Sequence, residues 1–139
     1  MSKANKAVVR KIREEGCRAG KLHLLDGLYT DDYVYHGTAM TGVREGLTGF
    51  KEMIAPYLEA MPDFQEKVLD QVAEGDRVAS RIVGSGTHRG PLLGTAPTGR
   101  RITWSAITIC RFRGGKIAEE WVEFDSSSVL QQLGVKHGS

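Results

Sequence analysis

Asp125 lies in the segment WVEFDSSSVLQQLG, residues 121–134. Along a strand, side chains alternate between faces, so Trp121, Glu123 and Asp125 share one side while Val122 and Phe124 share the other. A carboxylate set against indole rings loses hydration, which raises its proton affinity and suits it to general acid–base work. The same aspartate stands just before Ser126, Ser127 and Ser128, where it would make a helix N-cap, a contribution of about 1 kcal/mol. Three serines are available for that duty, which weakens the need for Asp125 there. Spacing alone leaves base and cap both open.

Glu123 has three readings: a second acid–base group, the ion-pair partner of an arginine such as Arg81, or a solvated residue at a pocket rim. His36 ends the aromatic strand Tyr33-Val34-Tyr35, and His88 ends GSGTH. Each is either a satisfied hydrogen-bonding group or a donor to a developing oxyanion. His23 falls in a helical stretch and His137 in the tail, and neither is given a role. No two histidines and a carboxylate share metal-ligand spacing, so no metal is expected. Cys110 falls mid-strand, and no serine sits in a nucleophile elbow. GPLLGTAPTGRR matches neither a phosphate loop nor a dinucleotide fingerprint, so no cofactor is expected.

The elements that must position these groups follow from periodicity. Val8, Val9 and Ile12 lie at helical spacing and predict a first helix over about Ala4–Arg18, with KLHLLDGLY as a short second one. DDYVYHG reads as a short strand, and GTAMTGVREG as a loop. Leu47, Phe50, Ile54, Tyr57, Leu58 and Met61 keep a 3.6-residue period and predict a third helix over about Glu45–Met61. Pro56 is expected to kink it or split it in two. For Phe50, Met53 and Tyr57 the core reading is preferred, whereas Met61 and Phe64 are expected in a pocket wall. The remainder reads as a strand pair turning at Glu74-Gly75-Asp76, a hairpin turning at Gly114-Gly115, and a short closing helix. Helices first and an antiparallel meander afterwards give an α+β domain, expected as a single unit over 1–139.

A Gly114-Gly115 loop pairs Arg113 with Lys116. Extended without a bulge, this register sets Trp104 opposite Asp125, Ala106 opposite Glu123 and Thr108 opposite Trp121. Two tryptophans and two carboxylates then share one patch. The reverse face, with Ile107, Ile109, Val122 and Phe124, is apolar as well and needs its own cover. A second subunit is the economical one, so a homodimer through the outer sheet face is expected.

Composition narrows the function classes. Of 139 residues, 40% are apolar and 26% charged, and the net charge of +2 is spread along the chain. Nucleic-acid and membrane partners are not expected. The charged start and the lack of a long apolar run oppose a signal peptide or membrane span. Two unpaired-looking cysteines favour a reduced, cytoplasmic setting. An apolar cavity with few buried charges and no cofactor motif suits proton transfer on a hydrophobic small molecule.

Taken together, DDYVYHG, MPDF, AEGDRVASR, GTHRGPLLGTAPTGR and GGKIAEEWVEFDSSSVLQQLG occur in the order and spacing of the SnoaL-like polyketide cyclases. These belong to the nuclear-transport-factor-2-like superfamily, and the resemblance runs from about Ala7 to Gly134. It implies a cone-shaped α+β barrel, in which helices pack into a strongly bent antiparallel sheet around a deep apolar pocket. It also implies that Asp125 acts as general acid/base without metal or cofactor, closing a ring by intramolecular aldol addition, or isomerising its substrate. His36, His88 and Trp121 would line the pocket, with a histidine or water holding the enolate. Tyr33, Tyr35, Arg81, Trp104 and Glu123 complete the expected substrate-binding set with Met61 and Phe64. Two alternatives stand beside the cyclase. One is an epoxide hydrolase on the same fold, whose Asp-Arg-Asp arrangement Asp125 and Arg81 could supply in part. The other is a non-catalytic small-molecule-binding accessory protein.

Overall fold

The computed structural model describes residues 2–135, so His137 lies outside the described residues. Among them are three α-helices, α1 (Ser2–Lys11), α2 (Gly46–Ala60) and α3 (Ser126–Leu133). Six strands, β1 (Tyr29–His36), β2 (Val43–Glu45), β3 (Gln65–Glu74), β4 (Arg77–Thr87), β5 (Arg101–Arg113) and β6 (Lys116–Phe124), form one sheet. Its order is β2-β1-β6-β5-β4-β3. The architecture is the expected α+β class, but the sheet is open and mixed. β1 runs parallel to β6 while every other pairing is antiparallel.

α1 passes into a π-helical turn, Ile12–Gly16. One extra residue in the turn brings both Ile12 and Arg13 to the buried side. Gly16 leaves room for Leu25, whose Cδ1 lies where a Cβ would stand. KLHLLDGLY shortens to a single 3-10 turn, Leu22–Leu25. α2 runs as one helix through Pro56 rather than as two pieces. Pro56 and Glu52, whose carbonyl loses its partner to the proline, are both exposed, so water can satisfy that oxygen. GTAMTGVREG contains β2, which pairs with the end of β1.

The β5–β6 hairpin turns where expected, with φ of 59° at Gly114 and 80° at Gly115. Arg113 pairs with Lys116 and Phe112 with Ile117, and then the register slips by one. Ile117 and Ala118 are both buried in succession, the mark of a bulge. Beyond it, Arg111 faces Glu119, Ile109 faces Trp121, Thr108 faces Val122, Ile107 faces Glu123 and Ala106 faces Phe124. The expected pairs Trp104–Asp125, Ala106–Glu123 and Thr108–Trp121 are therefore not formed. Glu120, Val122 and Phe124 point with Ala106, Thr108 and Cys110 into the molecule, and Trp121 and Glu123 point with Ile107 and Ile109 outward.

Candidate functional site

An apolar cavity opens between α2 and the inner sheet face. α2 supplies Phe50, Met53, Ile54 and Tyr57, and Met61 and Phe64 follow from its end. Trp104, Ala106, Val122 and Phe124 form the opposite wall. Two glycines of β4 make room for this wall. Trp104 lies across Gly84 and Met61 across Gly86, each where a Cβ would stand. Phe64 packs on Trp104 with ring centroids 4.9 Å apart.

The polar lining is sparse: Arg13, Glu66, Tyr35 and Thr41, with Trp104 contributing its indole N–H. Arg13 reaches from the π-helical turn and divides its guanidinium between two carboxylates. Nη1 donates to Glu66 Oε1 at 3.1 Å and Nη2 to Glu120 Oε2 at 2.8 Å. Burial opposes the Arg13 charge, but Glu120 and Glu66 hold it firmly protonated. Glu120 also accepts from Tyr33 Oη at 2.8 Å, Thr108 Oγ1 at 2.9 Å and, more weakly, Cys110 Sγ at 3.6 Å. Glu66 accepts one further bond, from Trp104 Nε1 at 3.0 Å. Counting both carboxylates as ionised, this buried cluster carries one excess negative charge. A proton arriving on Glu66 would make it neutral, and Glu66 lines the cavity whereas Glu120 does not.

The residues singled out from the sequence fall in different places. Tyr35, Met61, Phe64 and Trp104 line the cavity. Tyr33 is buried behind it as the partner of Glu120. Phe50, Met53 and Tyr57, assigned to the core, also face the cavity. The rest lie elsewhere. Asp125 is exposed and caps α3, accepting from Ser128 N–H at 3.0 Å. It borders an outer cleft rather than the apolar cavity, and Glu66 and Trp104 border both. The bulge at Ala118 shifts the register beyond it and so removes the expected pairing of Asp125 with Trp104. Trp121 lies on the outer face between His36, stacked at 5.3 Å, and the Arg77 guanidinium, also at 5.3 Å. His36 Nε2 sits 2.7 Å from Glu119 Oε2, and that contact, helped by Arg111, holds the Glu119 carboxyl below the ordinary range. Glu123 is exposed on the same face. Arg81 pairs with Asp70 at 3.1 Å rather than with Glu123 or Asp125.

His88 is fully buried and organises the loop that follows β4. Its Nδ1 accepts from Thr98 N–H at 3.2 Å, and its backbone pairs with Arg100 and Gly99. Gln132 of α3 acts as a surrogate strand partner, its amide bonding both Thr103 N–H and Thr103 C=O at 2.8 Å. Gly134 ends the helix in the left-handed region at φ 83°. No group of three or more His, Cys, Asp or Glu side chains among the described residues is placed to hold a metal ion.

Residues 7–133 match the family model for SnoaL-like polyketide cyclases. The chain belongs to this family. A SnoaL-like cyclase fold is also what the solved structures share. AclR from Streptomyces galilaeus, assigned as a hydroxylase, superposes with a TM-score of 0.85 at 28% identity, covering 96% of this chain and 98% of that one. IdmH from Streptomyces antibioticus, assigned as a polyketide cyclase, gives 0.82 at 29% identity over 94% and 99%. Nogalonic acid methyl ester cyclase of Streptomyces nogalater is 29% identical over 121 residues, 83% of this chain and 87% of that protein. This SnoaL-like protein is accordingly an enzyme of the cyclase and isomerase type.

Arg13, Glu66, Glu120 and Thr41 were not among the expected site residues. Signals for them exist in the sequence. Arg13 continues the stripe Val9, Ile12, Gly16 at helical spacing. Glu66 falls two residues after Phe64 and two before Val68, hence on the inward face of β3.

Proposed function

We propose that this enzyme closes a ring, or shifts a double bond, in a hydrophobic carbonyl compound by proton transfer, with Glu66 as the acid–base group and no cofactor. The observation that carries the reading is the Glu66–Arg13–Glu120 cluster at the wall of an otherwise apolar cavity. Glu66 removes a proton flanked by carbonyl groups, and the electron pair of that C–H bond passes to the carbonyl oxygen. The enolate carbon then attacks a second carbonyl of the same molecule, and Glu66 returns its proton to the new alkoxide. Arg13 and Trp104 hold the carboxylate in place, and the apolar walls exclude water. Asp125, in the neighbouring cleft that Glu66 and Trp104 also border, is the competing candidate for the same role.

The test is deuterium exchange at the acidic carbon of benzoylacetone, followed by NMR, in wild type, Glu66→Gln and Asp125→Asn. Loss of exchange in Glu66→Gln with retention in Asp125→Asn supports the reading. The opposite pattern transfers the role to Asp125, and equal rates in all three remove both.

A second reading is favoured by one feature. A guanidinium between two carboxylates could also hold and activate a water for epoxide opening, with Glu66, Arg13 and Glu120 in place of Asp125 and Arg81. Turnover of aryl epoxides to diols in wild type, without carbonyl exchange, would select it.

A homodimer through the outer sheet face belongs to the same proposal. Ile107, 54% exposed, Val72, 70% exposed, and Ile109 leave that face apolar, in line with Trp121 and His36. Sedimentation of the Ile107→Glu variant as a monomer and of wild type as a dimer is the expected outcome. A reduced, cytoplasmic setting fits Cys17 and Cys110, which are both free and buried.

A further inference from the structure

We propose that the hydroxyl groups of Tyr35 and Thr41 form the seat for the substrate carbonyl oxygen that becomes the enolate. The inference rests on the acid–base reading of Glu66 and deepens it by naming a donor pair for the oxygen end of the substrate. In the lining of the cavity, these hydroxyls are set apart from the Arg13–Glu66–Trp104 cluster by their own hydrogen bonds, and both residues are buried. Tyr35 lies close enough to that cluster to feel the charges of Arg13, Glu120 and Glu66.

The pair is held ready to donate. Thr41 Oγ1 accepts from Thr38 N–H at 3.1 Å and from Tyr35 Oη at a long 3.3 Å. Its own hydroxyl hydrogen is thereby free for an acceptor in the cavity. The Tyr35 bond is stretched enough to be exchanged for a better acceptor at little cost. Burial pushes the Tyr35 phenol up, so it remains a donor through the neutral range.

The loop carrying Thr41 is fixed from several directions. Thr41 and Gly42 donate their N–H groups to Thr38 C=O, Gly37 N–H donates to Gly42 C=O, and Arg44 Nε donates to Thr41 C=O at 2.9 Å. Gly37 is constrained as well, since Thr41 Oγ1 occupies the place of a Cβ there. Donors fixed before the reaction need no reorganisation as charge develops, which is how such a pair lowers a barrier. As Glu66 takes the proton, the C–H electron pair moves to the carbonyl oxygen. The negative charge lost at Glu66 reappears on an oxygen facing Thr41 Oγ–H and Tyr35 Oη–H. An acidic carbon flanked by carbonyls, attached to an apolar body, matches this division into base and oxygen seat.

Tyr35→Phe and Thr41→Val test it, with calorimetric binding of benzoylacetone and of butylbenzene, a hydrocarbon of similar shape without oxygens. Each variant is expected to lose about tenfold in affinity for benzoylacetone while butylbenzene binding stays unchanged. In the exchange assay kcat should fall further than KM rises. Thr41→Ser, which keeps the hydroxyl, should restore both readouts if Thr41→Val folds poorly. Equal losses for both ligands would show a packing role and overturn the proposal. So would a wild type that binds benzoylacetone no better than butylbenzene. Exchange that is absent from wild type, with the ligand difference intact, would sink the Glu66 reading and leave the oxygen seat standing.

Discussion

Arg13 Nη1 lies 3.1 Å from Glu66 Oε1, joining a π-helical turn near the start of the chain to a strand in its middle. Both side chains are less than a tenth exposed. A bond of this kind is expensive to break on one side only, because the surviving charge stays buried. The second carboxylate, Glu120, makes Arg13 the one cation facing two anions in this cluster.

Arg13→Met should therefore destabilise by about 3–5 kcal/mol, as removal of one partner from a buried ion pair does. The triple variant Arg13→Met, Glu66→Gln, Glu120→Gln should regain much of that loss. Urea titrations of both proteins measure the difference. A single variant as stable as wild type would mean the charges are hydrated.

The bulge at Ala118 makes a prediction about neighbours. Val122→Ala removes a buried cavity-wall side chain and should cost about 1–3 kcal/mol, whereas Glu123→Ala, one residue on and exposed, should stay within about 0.5 kcal/mol. Reversed costs in chemical denaturation would restore the unbulged register.

Gly84→Ala should push Trp104 from its place, since the new methyl group falls within the indole. A cost of about 1–3 kcal/mol is expected from such overpacking. The displacement should also shift tryptophan emission to the red. An unchanged spectrum and midpoint would show that the ring does not lie across β4.

Asp125→Ala should lower stability by about 1 kcal/mol through loss of the cap, and Asp125→Ser should recover most of it. A serine that restores stability yet leaves the enzyme inactive would point to a chemical role for the carboxylate.

Alkaline pH should unfold the protein. Burial pushes the Cys17 thiol up to about 12 and raises Cys110, Tyr29, Tyr33 and Tyr35 as well. Each group stays protonated in the folded chain at pH values where the unfolded chain has lost its proton. Their stabilisation is complete below the unfolded values of 9.0 for cysteine and 10.0 for tyrosine. It is lost as pH rises above them, each group contributing a slope of about 1.4 kcal/mol per pH unit. Thermal melts between pH 8 and 11 should fall progressively, and a flat profile would show these groups to be solvated.

Periodicity alone located α2, β1, the two hairpins and α3, because each depends on local spacing and on Gly114-Gly115, Gly75 or Gly134. Met61 and Phe64, at the end of α2, were legible for the same reason, whereas Trp104 was reached through a hairpin register that the bulge overturns. Which face of β6 looks inward was not. One bulged residue reverses every side chain beyond it, and no local rule placed a bulge at Ala118. The tertiary structure thereby turned Trp121 and Glu123 outward and left Asp125 to cap α3. It gathered Arg13, Glu66 and Glu120, up to 107 residues apart, into one cluster. Each is a charged residue that reads as surface until its partners are known. A buried charge is tolerable only when others from distant segments surround it, and that is a property of the packed chain.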